Sequence, residues 1–222
     1  MSIAENLHYI QESLTTARLV TVTKTHPSKV LLEVYEAGAR VFGENKVQEM
    51  VTKWEELPKD IEWHLIGHLQ TNKVRNIVPF VSLIHSVDSL KLLQEIDKQA
   101  AKHKRVVECL LQIHIATEET KFGLSATEAE SLLNWEGLNR HQNIRIIGLM
   151  GMATNTEDET QVRMEFRGLK QLYDRLKSIQ RPNVAFRELS MGMSNDYRIA
   201  QQEGSTLVRV GSAIFGPREY AE

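Results

Sequence analysis

The sequence predicts an α/β fold, a single (β/α)8 TIM barrel over residues 1–222 with an extra helix before its first strand. Three observations carry this. Short apolar, β-rich runs alternate with longer amphipathic stretches from one end of the chain to the other, which implies parallel strands joined by right-handed crossovers. The strand-like runs number eight, the count that closes into a barrel. A length of 222 residues also suits one α/β barrel, and no low-complexity linker divides it.

In chain order, a leading segment around residues 3–14 reads as the extra helix, and the strands follow at 19–24, 40–43, 62–67, 81–85, 106–113, 144–150, 184–189 and 206–210. Between the first two, residues 28–39 place Val30, Leu31, Val34 and Tyr35 on one side of a helix. Before the seventh, residues 156–178 do the same with Val162, Phe166, Leu169, Leu172 and Leu176. Ser125-Ala126-Thr127-Glu128 and Thr156-Glu157-Asp158-Glu159 read as capping boxes. A doubly wound open sheet is the competing architecture. It would bind nucleotide through a glycine-rich first turn, and Lys24-Thr25-His26-Pro27 has no glycine.

Composition narrows the function classes. With 41% hydrophobic and 25% charged residues the chain is an ordinary globular protein with enough apolar material for a large core. Twenty-seven basic residues against twenty-nine acidic ones give a formal charge of −2, which argues against a nucleic-acid partner. The densest basic run, Lys102-His103-Lys104-Arg105, follows a helical pattern and reads as the end of that helix, where cations complement the dipole. Cys109 has no second cysteine to pair with and lies in an apolar run, as a buried structural thiol would. The N-terminus lacks a secretory pattern, and no apolar stretch approaches the ~20 residues of a membrane helix. A cytoplasmic monomer with no membrane partner is the expectation.

In a barrel the working residues project from the C-terminal ends of the strands. Loops seven (Ser190-Met191-Gly192-Met193-Ser194-Asn195-Asp196) and eight (Arg209-Val210-Gly211-Ser212) combine small residues, hydroxyls and the start of a helix. Tight βα turns use the same residue types, so either loop alone leaves turn and anion site both open. The two together, after strands seven and eight, point to a phosphate site. Lys24 closes the first apolar run. It is either a solvated strand-end lysine or an amine whose partial desolvation lets it attack an aldehyde. Arg209 alternates with apolar neighbours inside the last strand and needs a carboxylate or a ligand as partner.

Other constellations fail. His64 and His68 have the i,i+4 spacing of a zinc pair, but that spacing converges only on a helix, which Gly67 breaks; no metal site is expected. Gly192-Met193-Ser194-Asn195-Asp196 starts like a nucleophile elbow and lacks its closing glycine. Met150, Met152, Met191 and Met193 read in part as ordinary core.

Taken together, several stretches resemble the pyridoxal phosphate homeostasis proteins, whose barrel is that of the alanine racemase N-terminal domain, the fold-type III class of pyridoxal 5′-phosphate (PLP) proteins. They are Val22-Thr23-Lys24-Thr25-His26-Pro27, Phe42-Gly43-Glu44-Asn45-Lys46-Val47-Gln48-Glu49, Trp63-His64-Leu65-Ile66-Gly67-His68-Leu69-Gln70-Thr71-Asn72-Lys73, Glu119-Thr120-Lys121-Phe122-Gly123-Leu124 and Gly148-Leu149-Met150. Loops seven and eight complete the set, from Glu188 to Asp196 and from Val208 to Gly216. The resemblance implies that Lys24 carries PLP as a Schiff base. It places Ser190, Met191, Gly192, Gly211 and Ser212 around the phosphate, Arg209 at the pyridine nitrogen and Asn45 beside the ring. Two positions depart from the family pattern. Ser212 stands where threonine is usual and keeps the hydroxyl. His26 replaces a common lysine and alters the local charge.

The function this implies is intracellular PLP homeostasis, by buffering or delivering the cofactor and so influencing amino-acid and keto-acid balance. It does not imply catalysis. Apo PLP enzymes or a regulatory protein are the candidate partners. Two alternatives stay open: a PLP-dependent amino-acid racemase and a PLP-sensing regulatory adaptor. Racemisation needs a base on each face of the substrate α-carbon. In alanine racemase one base comes from a C-terminal β-domain, for which the twelve residues after Val210 leave no room. An arginine at the pyridine nitrogen would also weaken PLP as an electron sink.

Overall fold

Strand β1 (Arg18–Val22) pairs with β2 (Val41–Glu44) on one side and with β8 (Leu207–Val210) on the other, which closes the sheet. In this computed structural model, which describes residues 2–118 and 122–216, all neighbouring strands are parallel and follow chain order. The others are β3 (Glu62–Leu65), β4 (Leu83–Val87), β5 (Val107–Ile113), β6 (Ile144–Gly151) and β7 (Val184–Met193). Helix α1 (Ile3–Ser13) precedes the barrel. The crossovers carry α2 (Ser28–Glu36), α3 (Val47–Glu56), α4 (Val74–Ile77), α5 (Leu90–Lys102), α6 (Ala126–Asn134), α7 (Glu159–Leu176) and α8 (Tyr197–Gln202), and α9 (Ser212–Phe215) follows β8. The alternation legible in the sequence is the fold observed.

Side chains on a strand alternate between two faces, and each face of this barrel has its own core. Outward-facing Phe42, Trp63, Leu65, Leu149 and Val208 meet the helices, including Leu31 and Val34 of α2 and Phe166 and Leu169 of α7. Inward-facing Val20, Leu83, Leu110, Ile147, Met150 and Leu207 fill the barrel with a separate cluster. Along β8 the inward series runs Leu207, Arg209, Gly211. The interior therefore changes from apolar to polar toward the C-terminal ends of the strands.

The alternation slips once on β6, where Ile146 faces out, Ile147 in, Leu149 out and Met150 in. A register shift against β5 absorbs the extra residue there, and the register against β7 shifts at the same place, with the surplus on β7. Gly148 makes this possible: its φ is +154°, and a Cβ would lie 1.6 Å from the Glu188 carbonyl oxygen. Gly148→Ala should therefore cost roughly 3 kcal/mol or more, because it combines backbone strain with a clash that only strand separation relieves. Urea unfolding checks this, and a loss below about 1 kcal/mol would contradict the close approach.

Several boundaries move from their predicted places, each for a physical reason. β1 ends at Val22, with Lys24 in the following turn, because Thr25 takes φ +70° and no longer extends the strand. β7 runs on to Met193, past the predicted end at residue 189. The Ser125 capping box is present, and Ser2 with Glu5 forms a second that the sequence reading missed. The predicted box at Thr156 does not form. Asp158 caps α7 instead, its carboxylate accepting from the Thr160 and Gln161 N–H groups, a stronger acceptor than a threonine hydroxyl. The basic run ends α5 as expected, and Arg105 turns inward to donate to the Val78 and Val81 carbonyls. Cys109 is buried on β5, where burial pushes its thiol up. Among the described residues no helix is long and apolar enough to cross a membrane.

Candidate functional site

At the C-terminal rim, the β1–β2 ladder ends with the Thr23 N–H donating to the Gly43 carbonyl (3.0 Å), and partly buried Lys24 follows. Asn45 leaves β2 beside it, also partly buried. On the other flank Gly211 packs onto β1: a Cβ there would lie 3.1 Å from the Val22 oxygen and 3.2 Å from the Val22 Cβ. This glycine lets the β8 loop approach the first strand just below Lys24.

The same loop presents two convergent donors. The N–H groups of Gly211 (3.2 Å) and Ala213 (3.4 Å) both point at the Ser194 hydroxyl oxygen. Backbone donors converging on one oxygen form the kind of concavity that accepts an anion. Loop seven is braced from within, since the Met193 N–H donates to the Asp196 carboxylate at 2.5 Å. Ser212 is exposed at this rim, whereas Met191 is buried in the outer core and Gly192 packs against Ala200 and Tyr197 of α8.

Beneath the rim a chain of four buried polar side chains crosses the barrel interior. Arg209 donates to the Ser190 hydroxyl (2.6 Å) and to the Gly151 carbonyl (3.0 Å). Ser190 meets His85 Nδ1 at 2.9 Å, and His85 Nε2 meets His64 Nδ1 at 3.0 Å. The direction of the chain follows from its cation. Arginine only donates, so the Ser190 proton goes to His85 Nδ1. His85 then carries its proton on Nε2 and donates to His64, whose proton is also on Nε2. Burial holds both imidazoles neutral, pushing the His64 pKa down to about 3 and that of His85 well below its usual value. Burial also lowers Arg209, to about 10, which leaves it charged at neutral pH.

The structure thus gathers Lys24, Asn45, Gly211 and Ser212 at the rim, with Arg209 and Ser190 under them. It bonds the Ser190 hydroxyl to Arg209 and His85 rather than leaving it at the rim. Sequence reasoning missed Ser194, although it stands inside the loop-seven motif, and His85, whose signal was its inward phase on β4. His64 and His68 separate, His68 pairing with Asp88 (3.3 Å) and stacking on Phe122. Among the described residues no three His, Cys, Asp or Glu side chains gather as metal ligands. Glu119, Thr120 and Lys121 of the quoted motifs lie outside the described residues.

The family model for the alanine racemase N-terminal domain matches residues 1–219. A pyridoxal phosphate homeostasis protein of Aquifex aeolicus is 42% identical over 205 residues, covering 92% of this chain and 88% of the relative. The chain belongs to the pyridoxal phosphate homeostasis protein family. A homeostasis protein of Haemophilus influenzae is 34% identical and covers 100% of this chain and 98% of its own. Among solved structures, PipY of Synechococcus elongatus with PLP bound superposes with a TM-score of 0.88 at 36% identity, covering 97% of this chain and all of that one. Alanine racemase of Bartonella henselae shares the fold alone: TM-score 0.74, 14% identity, 97% of this chain and 58% of that one.

Proposed function

We propose that this protein binds PLP and serves its intracellular homeostasis, holding the cofactor as a Schiff base on Lys24 so that it can be buffered or delivered. One observation carries the reading: an amine and a pair of convergent N–H donors share one barrel rim. The residues fit the cofactor's groups. Gly211, Ala213 and Ser194 offer donors to a phosphate, with the Ser212 hydroxyl and the loop-seven backbone at Met191 and Gly192 beside them. Arg209 has five N–H donors, two of them spent on Ser190 and Gly151, and can address a ring nitrogen. Asn45 lies at the rim beside Lys24. When bound, PLP supplies the aldehyde that Lys24 attacks and a ring able to withdraw electrons.

The same residues support a carrier rather than a racemase. His64, at an inward strand position, makes a poor base: its Nδ1 already accepts the His85 proton and its pKa is about 3. Arg209 stays charged and opposes protonation of a ring nitrogen beside it. The test loads the purified protein with PLP and mixes it with an apo PLP enzyme. Activation faster than PLP's spontaneous release into buffer supports delivery, and activation no faster removes delivery from the proposal. A chiral amino-acid assay showing turnover on the order of 1 s⁻¹ that vanishes in Lys24→Ala would make the protein a racemase instead.

A further inference from the structure

Just outside the barrel wall, under the turn that carries Lys24, lies a buried charge cluster that none of the foregoing uses. Glu44 at the end of β2 is fully buried, and Lys53 of α3 is 4% exposed. The Lys53 ammonium has three N–H donors, and three acceptors surround it: Glu44 Oε1 (2.7 Å), Glu49 Oε1 (2.6 Å) and the Thr23 carbonyl (2.8 Å). The Thr23 hydroxyl donates to Glu44 Oε1 at 2.5 Å. The Thr25 N–H donates to Glu49 Oε1, also at 2.5 Å. Both peptide groups that flank Lys24 are therefore gripped from α3, one through its carbonyl and the other through its N–H.

Thr25 sits at φ +70°, a left-handed conformation that a β-branched residue adopts only where its surroundings impose it. The Glu49 carboxylate supplies that constraint at the strained residue itself. Stability alone gives no reason for the cluster, because a buried ion pair does no better on balance than well-packed apolar side chains. An apolar substitute could not hold a carbonyl and an N–H on either side of one lysine.

We infer that Glu44, Lys53 and Glu49 form a positioning device for Lys24, fixing its backbone so that the amine is presented to an aldehyde at the barrel rim. These are positioning residues, acting through Thr23 and Thr25. The inference rests on Lys24 as the attachment point proposed above.

The experiment compares two ligands on apo-protein. PLP reports attachment, as the rate at which label becomes fixable by borohydride on Lys24. Pyridoxamine 5′-phosphate has the same ring and phosphate but no aldehyde, and reports binding alone. Glu49→Ala should slow attachment by about tenfold to a hundredfold, the cost of a misplaced reacting group, while the Kd for pyridoxamine 5′-phosphate moves by less than about threefold. Glu49→Gln keeps an acceptor for the Thr25 N–H and should restore most of the rate. Glu49 is partly exposed, so its loss spares the core. Glu44→Gln with Lys53→Met releases Thr23 without stranding a buried charge, and must show the same split between the two ligands. Attachment at the wild-type rate in both variants overturns the inference, as does an equal loss for both ligands. Wild-type label on a lysine other than Lys24 overturns the attachment reading and this inference with it.

Discussion

Replacing Lys24 by alanine is expected to abolish all borohydride-fixable PLP and to leave the barrel folded. Lys24 is partly buried at the rim, outside both apolar cores, so its stem contributes little packing. The stability change should stay within about 1 kcal/mol, as for substitutions away from the core. Residual binding of the cofactor should persist, because the Gly211 and Ala213 N–H donors are untouched. Reduction with borohydride, peptide mapping of the label and a urea unfolding curve read all three outcomes. Label that survives in the variant would move the attachment point to another amine.

Acidification from pH 7 to pH 5 should remove about 4 kcal/mol of the stability of the apo-protein through two side chains, His64 and His85. Both are buried and held neutral, with folded pKa values below the unfolded value of about 6.5. Above that value neither state carries the extra proton and the histidines are without effect. Below it the unfolded chain takes up protons that the native state refuses, so stability falls, by about 2 kcal/mol per histidine at pH 5. Glu44 acts with the opposite sign: burial raises its pKa, so its penalty is present at high pH and is relieved as pH falls. His64→Asn separates these contributions. The asparagine carbonyl can still accept from His85 Nε2 and does not titrate, so the loss between pH 7 and 5 should shrink to about half, with the Glu44 contribution unchanged. Equal pH slopes for wild type and variant would show that His64 is not buried neutral.

The strand-by-strand plan of the barrel was legible because it is local. Period-two runs mark Leu207, Arg209 and Gly211 as facing one way, and helical spacing marks Val162, Phe166 and Leu169. Those patterns depend only on neighbours in the chain, as does the restriction to a few residue types at the strand ends, which singled out Lys24, Ser190 and Gly211. Even the buried fate of Cys109 followed from its apolar run.

What the tertiary structure alone decided is which polar atoms meet. His64, His85, Ser190 and Arg209 come from β3, β4, β7 and β8, and they join only because the sheet closes with one particular stagger. The register shifts on β6 and β7 set that stagger, and they arise where neighbouring strands collide or make room, as Gly148 does for the Glu188 carbonyl. Lys53 likewise carries no local signal of its own. Its role appears once α3 packs against the end of β2 and brings Glu44, Glu49 and the Thr23 carbonyl around a single ammonium. Hydrophobic periodicity is additive along the chain and survives in any register, whereas a hydrogen bond across the barrel needs both partners within ångströms, which no local pattern encodes.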